Sequence, residues 1–142
     1  MELADECIFC RIVTGRAPAF RLLESERALV ILDAYPAALG HALVMSRRHA
    51  RDLFDLEEEE IAEIARLARR VALAQRQVLG AGGVNLLNSN GRAAQQTVFH
   101  FHLHVLPRQT GDGLNVWAGK RLHRIDPELG ERLRAALAAP AI

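Results

Sequence analysis

Within residues 98–106, Val-Phe-His-Phe-His-Leu-His-Val-Leu, imidazoles and apolar side chains alternate from Phe99 to Val105. Period two fits an extended strand, because successive strand side chains point to opposite faces, whereas a helix would scatter the three rings around its circumference. The pattern predicts a strand over 98–106 with His100, His102 and His104 in a row on one face, roughly 7 Å apart. Phe99, Phe101, Leu103 and Val105 would then point into a core. Thr, Lys or Glu would solvate a wet face equally well, so placing three of six histidines there asks for a chemical reason. Neutral imidazole is a nucleophile, a proton carrier and a metal ligand near neutral pH. A row of such rings suits covalent catalysis at phosphorus, one ring attacking while another handles the proton. Pro107 has no N–H and is expected to end the ladder. Arg108 beside it is either a cation for the strand end or a surface residue.

The rest of the chain supplies a frame for that strand. Residues 7–14 read as a short helix ended by Gly15, and residues 20–24 and 28–32 as a hairpin around Ser25-Glu26-Arg27. Ala34-Tyr35-Pro36 breaks the chain before a third strand over 41–45, and residues 84–87 make a fourth. Between them, residues 55–79 form a long helix with Asp55 and Glu58 spaced as a capping box. Its apolar stripe is Ile61, Ile64, Ala68, Val71 and Val78, its solvated face carries Arg66, Arg69, Arg70 and Arg76, and Gly80 ends it. Asp126-Pro127-Glu128 starts a C-terminal helix with an apolar edge of Leu129, Leu133 and Leu137. Gly111-Asp112-Gly113 is too short for a phosphate loop and makes a turn, and Trp117 is expected to line the pocket or a dimer contact. Strands and helices do not alternate regularly. The expected class is α+β, an antiparallel sheet of about five strands with one long helix and a C-terminal helix. At 142 residues, with no repeat, low-complexity tract or linker, the chain is read as a single domain over 1–142.

Composition narrows the partners. A formal net charge of +1 with 25% charged residues argues against a surface that wraps nucleic acid. Arginine is abundant with a single lysine and many alanines, a compositional bias rather than a phosphate signal. The start of the chain is acidic and the apolar runs are far too short to span a bilayer. Two cysteines are too few for a secreted disulfide scaffold. These readings point to a cytoplasmic protein with neither a nucleic-acid nor a membrane partner.

Cys7-Ile8-Phe9-Cys10 has the spacing of half a zinc site. A redox pair and inert thiols are the alternatives. The redox reading wants a preceding strand, and only six residues precede Cys7. A structural zinc would need two further ligands among His41, His49, His100, His102, His104 and His123, and spacing alone does not choose them.

Taken together, these residues resemble the histidine triad (HIT) family of nucleotide hydrolases and transferases. The match is carried by His100-Phe101-His102-Leu103-His104-Val105-Leu106, by Cys7-Ile8-Phe9-Cys10-Arg11-Ile12, and by Val30-Ile31-Leu32-Asp33 with Pro36, Gly40-His41-Ala42-Leu43-Val44 and His49. Asn88-Ser89-Asn90-Gly91 and Gln96-Thr97-Val98 complete it, so that it covers roughly residues 7–117. The resemblance implies a small α+β unit that forms a homodimer, and His102 as the nucleophile. It implies His104 and His41 at the phosphate, Asp33 on the ribose, and Ile8, Phe9, Ile12 and Ile31 as walls of a base pocket. Ser89, Gln96 and Thr97 fall at positions that meet sugar, phosphate or leaving group. Zinc-carrying bacterial members join the two cysteines to two histidines, which fall here on His49 and His100, giving one structural Zn(2+) per chain. The implied substrate is a nucleotide, with a purine base, carrying a phosphoramidate or dinucleoside polyphosphate leaving group. A transferase or phosphorylase, a nucleotide-binding regulatory module and a zinc scaffold are the competing readings. Two positions depart from the family pattern: Ser89 stands where many members have Asn, and Gln95 where many have Gly. Gln95 gives up the dihedral freedom of glycine beside a phosphate-binding turn.

Overall fold

The computed structural model of the chain describes residues 6–116 and 124–138. Its elements run α1 (Ile8–Val13), β1 (Arg21–Glu24), β2 (Ala28–Leu32), β3 (Ala42–Ser46), α2 (Glu58–Leu79), β4 (Gly83–Leu87), β5 (His102–Arg108) and α3 (Pro127–Ala138). The strands form one five-stranded sheet in the order β1-β2-β3-β5-β4, antiparallel throughout. This is the α+β arrangement that the strand and helix patterns predict. The chain divides into two compact units, one ending at Asp112 and the other starting at Gly113.

In the first unit both faces of the central strands are covered, which is why β2 and β3 read as continuous apolar runs rather than alternating ones. Ala28, Val30, Ala42, Val44, Phe101 and Val105 pack against Ile64, Leu67, Ala68 and Val71 of α2. Leu29, Ile31, Leu43 and Met45 pack on the opposite face against Phe9, Cys10 and Ile12 of α1. Each fully buried Val, Leu, Ile, Phe or Met among them stabilises the fold by about 1.5–3 kcal/mol. Register assigns the histidines to a face. His102 pairs with Met45 and His104 with Leu43, so both rings stand on the α1 side. His41, two residues before Leu43, shares that face, as does Asp33, two residues after Ile31.

Several expectations need correction. The strand expected over 98–106 begins only at His102, and residues 98–100 bend instead. Phe101 N–H donates to Ala50 O at 2.7 Å and Ser46 N–H to Phe101 O at 3.4 Å, long-range bonds that draw this segment out of the ladder and turn His100 inward. Phe99 is half-buried, and the guanidiniums of Arg51 and Arg92 lie 4.7 and 5.1 Å from its ring centre. Pro107 does not end pairing, since it opposes Val84 and Arg108 opposes Gly83. Pairing with β3 already stops at Ala42↔Val105, so the missing N–H is not needed there. Arg108 is held by Asp112 at 2.8 Å and by Asn85 at 2.7 Å, which closes the expected turn at 111–113.

Helix α2 starts at Glu58, with Glu57 as N-cap and Glu60 Oε1 accepting the Glu57 N–H at 3.0 Å. The capping pair is therefore Glu57 and Glu60, whereas Asp55 accepts the Arg51 N–H at 2.9 Å. Val78 is exposed, and the buried stripe runs instead through Ile64, Leu67, Ala68, Val71 and Gln75. Gly80 closes the helix in the left-handed region at φ 64°, donating to Arg76 O. Buried Glu60 also takes Arg48 at 2.7 Å, tying the segment that carries His49 to the start of α2. Burial opposes ionisation of Glu60, but the Arg48 and Glu57 bonds outweigh it and hold its carboxyl below the usual range. In the second unit Asp126 caps α3 as expected, its Oδ1 accepting the Leu129 N–H at 3.2 Å, and Leu129, Leu133 and Leu137 are exposed. Trp117 and His123 lie outside the described residues.

Candidate active site and metal centre

The chemistry-bearing side chains gather on the α1 face in two adjoining clusters. In the first, Cys7 caps α1 through its Sγ, which accepts the Cys10 N–H at 3.4 Å, so both thiols project from the start of one helix. Fully buried His100 donates from Nε2 to Ser46 O at 2.6 Å. A carbonyl only accepts, so the proton of this ring sits on Nε2 and its Nδ1 lone pair faces the two sulfurs, each at 3.4 Å. His49 Nδ1 lies 3.2 Å from Cys10 Sγ. The donor atoms of Cys7, Cys10, His49 and His100 all lie within 4.8 Å of one another. Two soft sulfurs and two imidazole nitrogens form the donor set of a closed structural zinc site, and the Ser46 carbonyl is the outer partner that orients such a ligand. The spacing of the cysteines left six histidines open; the fold brings His49 and His100 to the thiols.

The second cluster contains the other two triad rings. His102 Nδ1 lies 2.7 Å from His100 O, so Nδ1 carries the proton and Nε2 keeps the lone pair. Its ring stands edge-on to Phe9 at 5.0 Å and to His104 at 5.2 Å. His41 Nδ1 accepts the Ala37 N–H at 3.1 Å, which places the His41 proton on Nε2. That proton points at His104 Nδ1, 2.9 Å away, leaving the His104 proton on Nε2. Asp33 Oδ2 lies 3.5 Å from His41 Nε2 and 3.8 Å from His104 Nδ1, while its Oδ1 accepts the Tyr35 N–H at 2.9 Å. Asp33 is thus a turn residue and a charge beside the imidazoles at once. Asp33, His41 and His104 also bring three donor atoms within 4.8 Å. With Nδ1 already an acceptor, neutral His41 has no second lone pair for a cation, and the trio is a hydrogen-bonded relay rather than a metal site.

Burial sets the electrostatics. It pushes the His104 pKa down to about 4, with His102 and His41 adding to the fall and Asp33 opposing it. His102 is lowered by burial against the pull of the His100 carbonyl and Asp33, and His41 by burial against Asp33. His100 falls to about 4 for the same reason. Near neutral pH these rings are uncharged; the backbone chooses the atom that carries the proton in His41, His100 and His102, and His41 chooses it in His104.

The remaining expected site residues divide. Ile8 is exposed, whereas Phe9, Ile12 and Ile31 are buried in the apolar cluster beneath the rings. Gln96 is buried, and its amide donates to Arg51 O at 2.7 Å and Val98 O at 3.0 Å and accepts the Gly91 N–H at 2.7 Å. Its polar atoms therefore shape the loop from within. Thr97 is exposed and Ser89 half-buried on the same loop. Gln95 adopts φ 67°, the left-handed conformation for which glycine is suited, at a cost of about 1 kcal/mol or more. The sequence assigns no role to Ser46, Ala37, Asn88 or Asn90. The first two act through backbone atoms and carry no side-chain signal, while the asparagines stand in the run 88–91 that carries the resemblance, without a partner being legible there. A cavity of about 440 Å³ between α2 and β1–β2, lined by Leu22, Leu23, Leu32, Val71, Val78 and Leu79 among others, is bordered by none of the histidines.

A sequence model described as the HIT domain matches residues 14–111. An uncharacterized HIT-like protein of Mycobacterium tuberculosis is 45% identical over 135 residues, 93% of either chain. A Schizosaccharomyces pombe protein named adenosine 5'-monophosphoramidase is 38% identical over 136 residues, 92% of this chain and 98% of its own. The crystal structure of a Zn-bound histidine triad family protein from Mycobacterium smegmatis aligns with a TM-score of 0.76 at 45% identity, over 96% of both chains.

Proposed function

The chain belongs to the HIT domain family, and on that premise we propose that it hydrolyses the bond between a nucleotide α-phosphate and its leaving group through a nucleotidyl-His102 intermediate. The single observation that carries this reading is the Nδ1···O contact from His102 to the His100 carbonyl, because it leaves the Nε2 lone pair for attack. Nε2 bonds to phosphorus, and the bond to the leaving group breaks with its electron pair. The positive charge that develops on the ring is spread through Nδ1–H towards the His100 carbonyl. His104 Nε2–H, backed by His41, donates to a phosphoryl oxygen, as do Thr97 and nearby backbone N–H groups. Water then attacks phosphorus, the nucleoside monophosphate leaves, and His102 regains its lone pair. The leaving group takes a proton from solvent as its bond breaks, and the water that attacks in the second step returns one to solvent. Asp33 would hold the ribose and Ile8 the base, with Phe9, Ile12 and Ile31 packing behind, Ser89 near the sugar and Gln96 shaping the loop. The name of the fission-yeast relative supports an adenosine, hence purine, phosphoramidate as the first substrate to test.

Cys7, Cys10, His49 and His100 would hold one zinc ion per chain, which supplies cross-linking of α1 and the His49 segment to the approach of β5. We also propose a single functional domain over 1–142, working as a cytoplasmic homodimer without nucleic-acid or membrane partners. Among the described residues no helix is long and apolar enough to cross a membrane.

The decisive experiment is trapping. Full-length protein quenched in base during turnover of adenosine 5'-phosphoramidate is expected to carry one adenylyl group on the peptide containing His102. An adduct on another residue, or none under a measured burst, would remove the mechanism.

A pH profile gives a second check. The folded values of His104 and His41 lie below the usual imidazole value, and His102 moves the same way. The neutral, active rings are therefore lost only as pH falls through those lowered values. We expect kcat/KM to stay within about twofold from pH 8 to pH 6.5 and to fall only in more acid solution. An acid limb centred at or above about 6.5 would contradict it.

A further inference from the structure

The sheet stops one rung short of the nucleophile on the β4 side. The last β4–β5 pair is Leu87↔His104, so no strand residue of β4 meets the carbonyl of His102. A side chain takes that rung: Asn88 Nδ2 donates to His102 O at 2.9 Å. Asn88 Oδ1 accepts from Asn90 Nδ2, and Asn90 Oδ1 accepts the Leu53 N–H at 2.7 Å. Both amide orientations are fixed, because a carbonyl at one end must receive a proton and an N–H at the other must give one. The result is a strut from the 3-10 turn Leu53–Asp55 to the main chain of His102. That turn is itself anchored, since Arg48 donates to Asp55 O at 2.8 Å and Asp55 accepts the Arg51 N–H.

We infer that Asn88 and Asn90 are positioning residues for His102. The inference rests on His102 being the nucleophile. The ring hangs from a main chain whose preceding residues, 98–100, are not in the sheet, so its placement depends on the few bonds that fix residues 101–104. On the β3 side these are the pairings of Met45, Val44 and Leu43 and the Ser46 and Ala50 bonds to Phe101; on the β4 side the Leu87 pairing reaches His104, and at His102 itself the bond is the strut. An in-line attack tolerates little displacement, and a misplacement of about 1 Å can cost about a hundredfold in rate.

Asn88→Asp tests this with almost no change of shape. The carboxylate still accepts from Asn90 but cannot donate to the His102 carbonyl, and two oxygens then face each other. In the full-length, zinc-loaded protein with adenosine 5'-phosphoramidate, kcat is expected to fall about 10- to 100-fold, with KM within about twofold and the thermal midpoint nearly unchanged. Adduct formation in a quenched-flow experiment should slow by the same factor as kcat. Asn90→Ala removes the brace but not the contact, and should lower kcat in the same way by about three- to tenfold. It gives the reading if the aspartate variant does not fold. Unchanged kcat in either folded variant, a change confined to KM, or failure of both variants to fold would overturn the positioning role. Failure of the underlying reading looks different, because wild-type protein would then show no adduct on His102.

Discussion

Replacing His102 by alanine is expected to lower kcat by at least about 10³-fold, while nucleotide Kd changes by no more than about threefold. The asymmetry follows from the protons. His102 is the one ring on the α1 face of β5 whose Nε2 carries a lone pair, since its Nδ1 hydrogen is committed to the His100 carbonyl. His104 cannot stand in: its Nδ1 faces the His41 proton and its Nε2 bears a hydrogen. His100 points its Nε2 hydrogen at Ser46 and its lone pair at the sulfurs. Binding, by contrast, is assigned to Asp33, His41, His104 and the apolar wall, which the substitution leaves in place. Stopped assays for the rate, with calorimetry for the affinity, separate the two quantities. A residual kcat within about tenfold of wild type would mean that bond breaking does not pass through this nitrogen.

The second large effect concerns the thiols. Cys10→Ser keeps Cys7 as the cap of α1 but removes the sulfur that lies near both imidazoles, 3.2 Å from His49 and 3.4 Å from His100. Metal content is expected to drop from one zinc per chain to near none. The thermal midpoint is expected to fall by about 10 °C or more, given that structural zinc contributes several kcal/mol and each kcal/mol moves the midpoint by roughly 2–8 °C in domains of this size range. Chelation should reproduce the loss in the wild-type protein and add nothing to the variant. Turnover should weaken without vanishing, because His100 also presents the carbonyl that holds the His102 ring. Native protein that contains no zinc, and whose midpoint ignores a chelator, would refute the assignment.

Much of this arrangement is legible in the chain. Alternation places His102 and His104 on one face, the apolar runs over 28–32 and 41–45 mark β2 and β3 as strands, and Asp126-Pro127 marks the start of α3. The misreadings share a cause. Residues 98–100 continue the Phe-His alternation of the strand, yet bonds from Phe101 to Ala50 and Ser46, some fifty residues distant, bend them out of it. Local periodicity cannot register a partner so far away. The same holds for the rings' protons, which depend on Ser46 O, His100 O and Ala37 N–H, groups every residue possesses. Pro107 was misjudged because its tolerance depends on where the neighbouring strand stops, which is a property of β3. Gln96 looked like a ligand contact and is a loop brace, a distinction that its residue type does not carry. The cysteine spacing points to a metal but leaves the histidines open; the family resemblance singles out His49 and His100, and the fold brings both to the thiols.

Strand β5 lies inside the sheet, and its side chains inherit their duties from phase. A slip of a single residue against β3 and β4 would rotate His102 and His104 towards α2 and bring phenylalanine and leucine to the α1 side. A slip of two would restore the face but present a different imidazole at each place. Insertions or deletions between 98 and 107 should therefore silence this protein more thoroughly than most substitutions there, for what is inherited at those positions is a reading frame written in space.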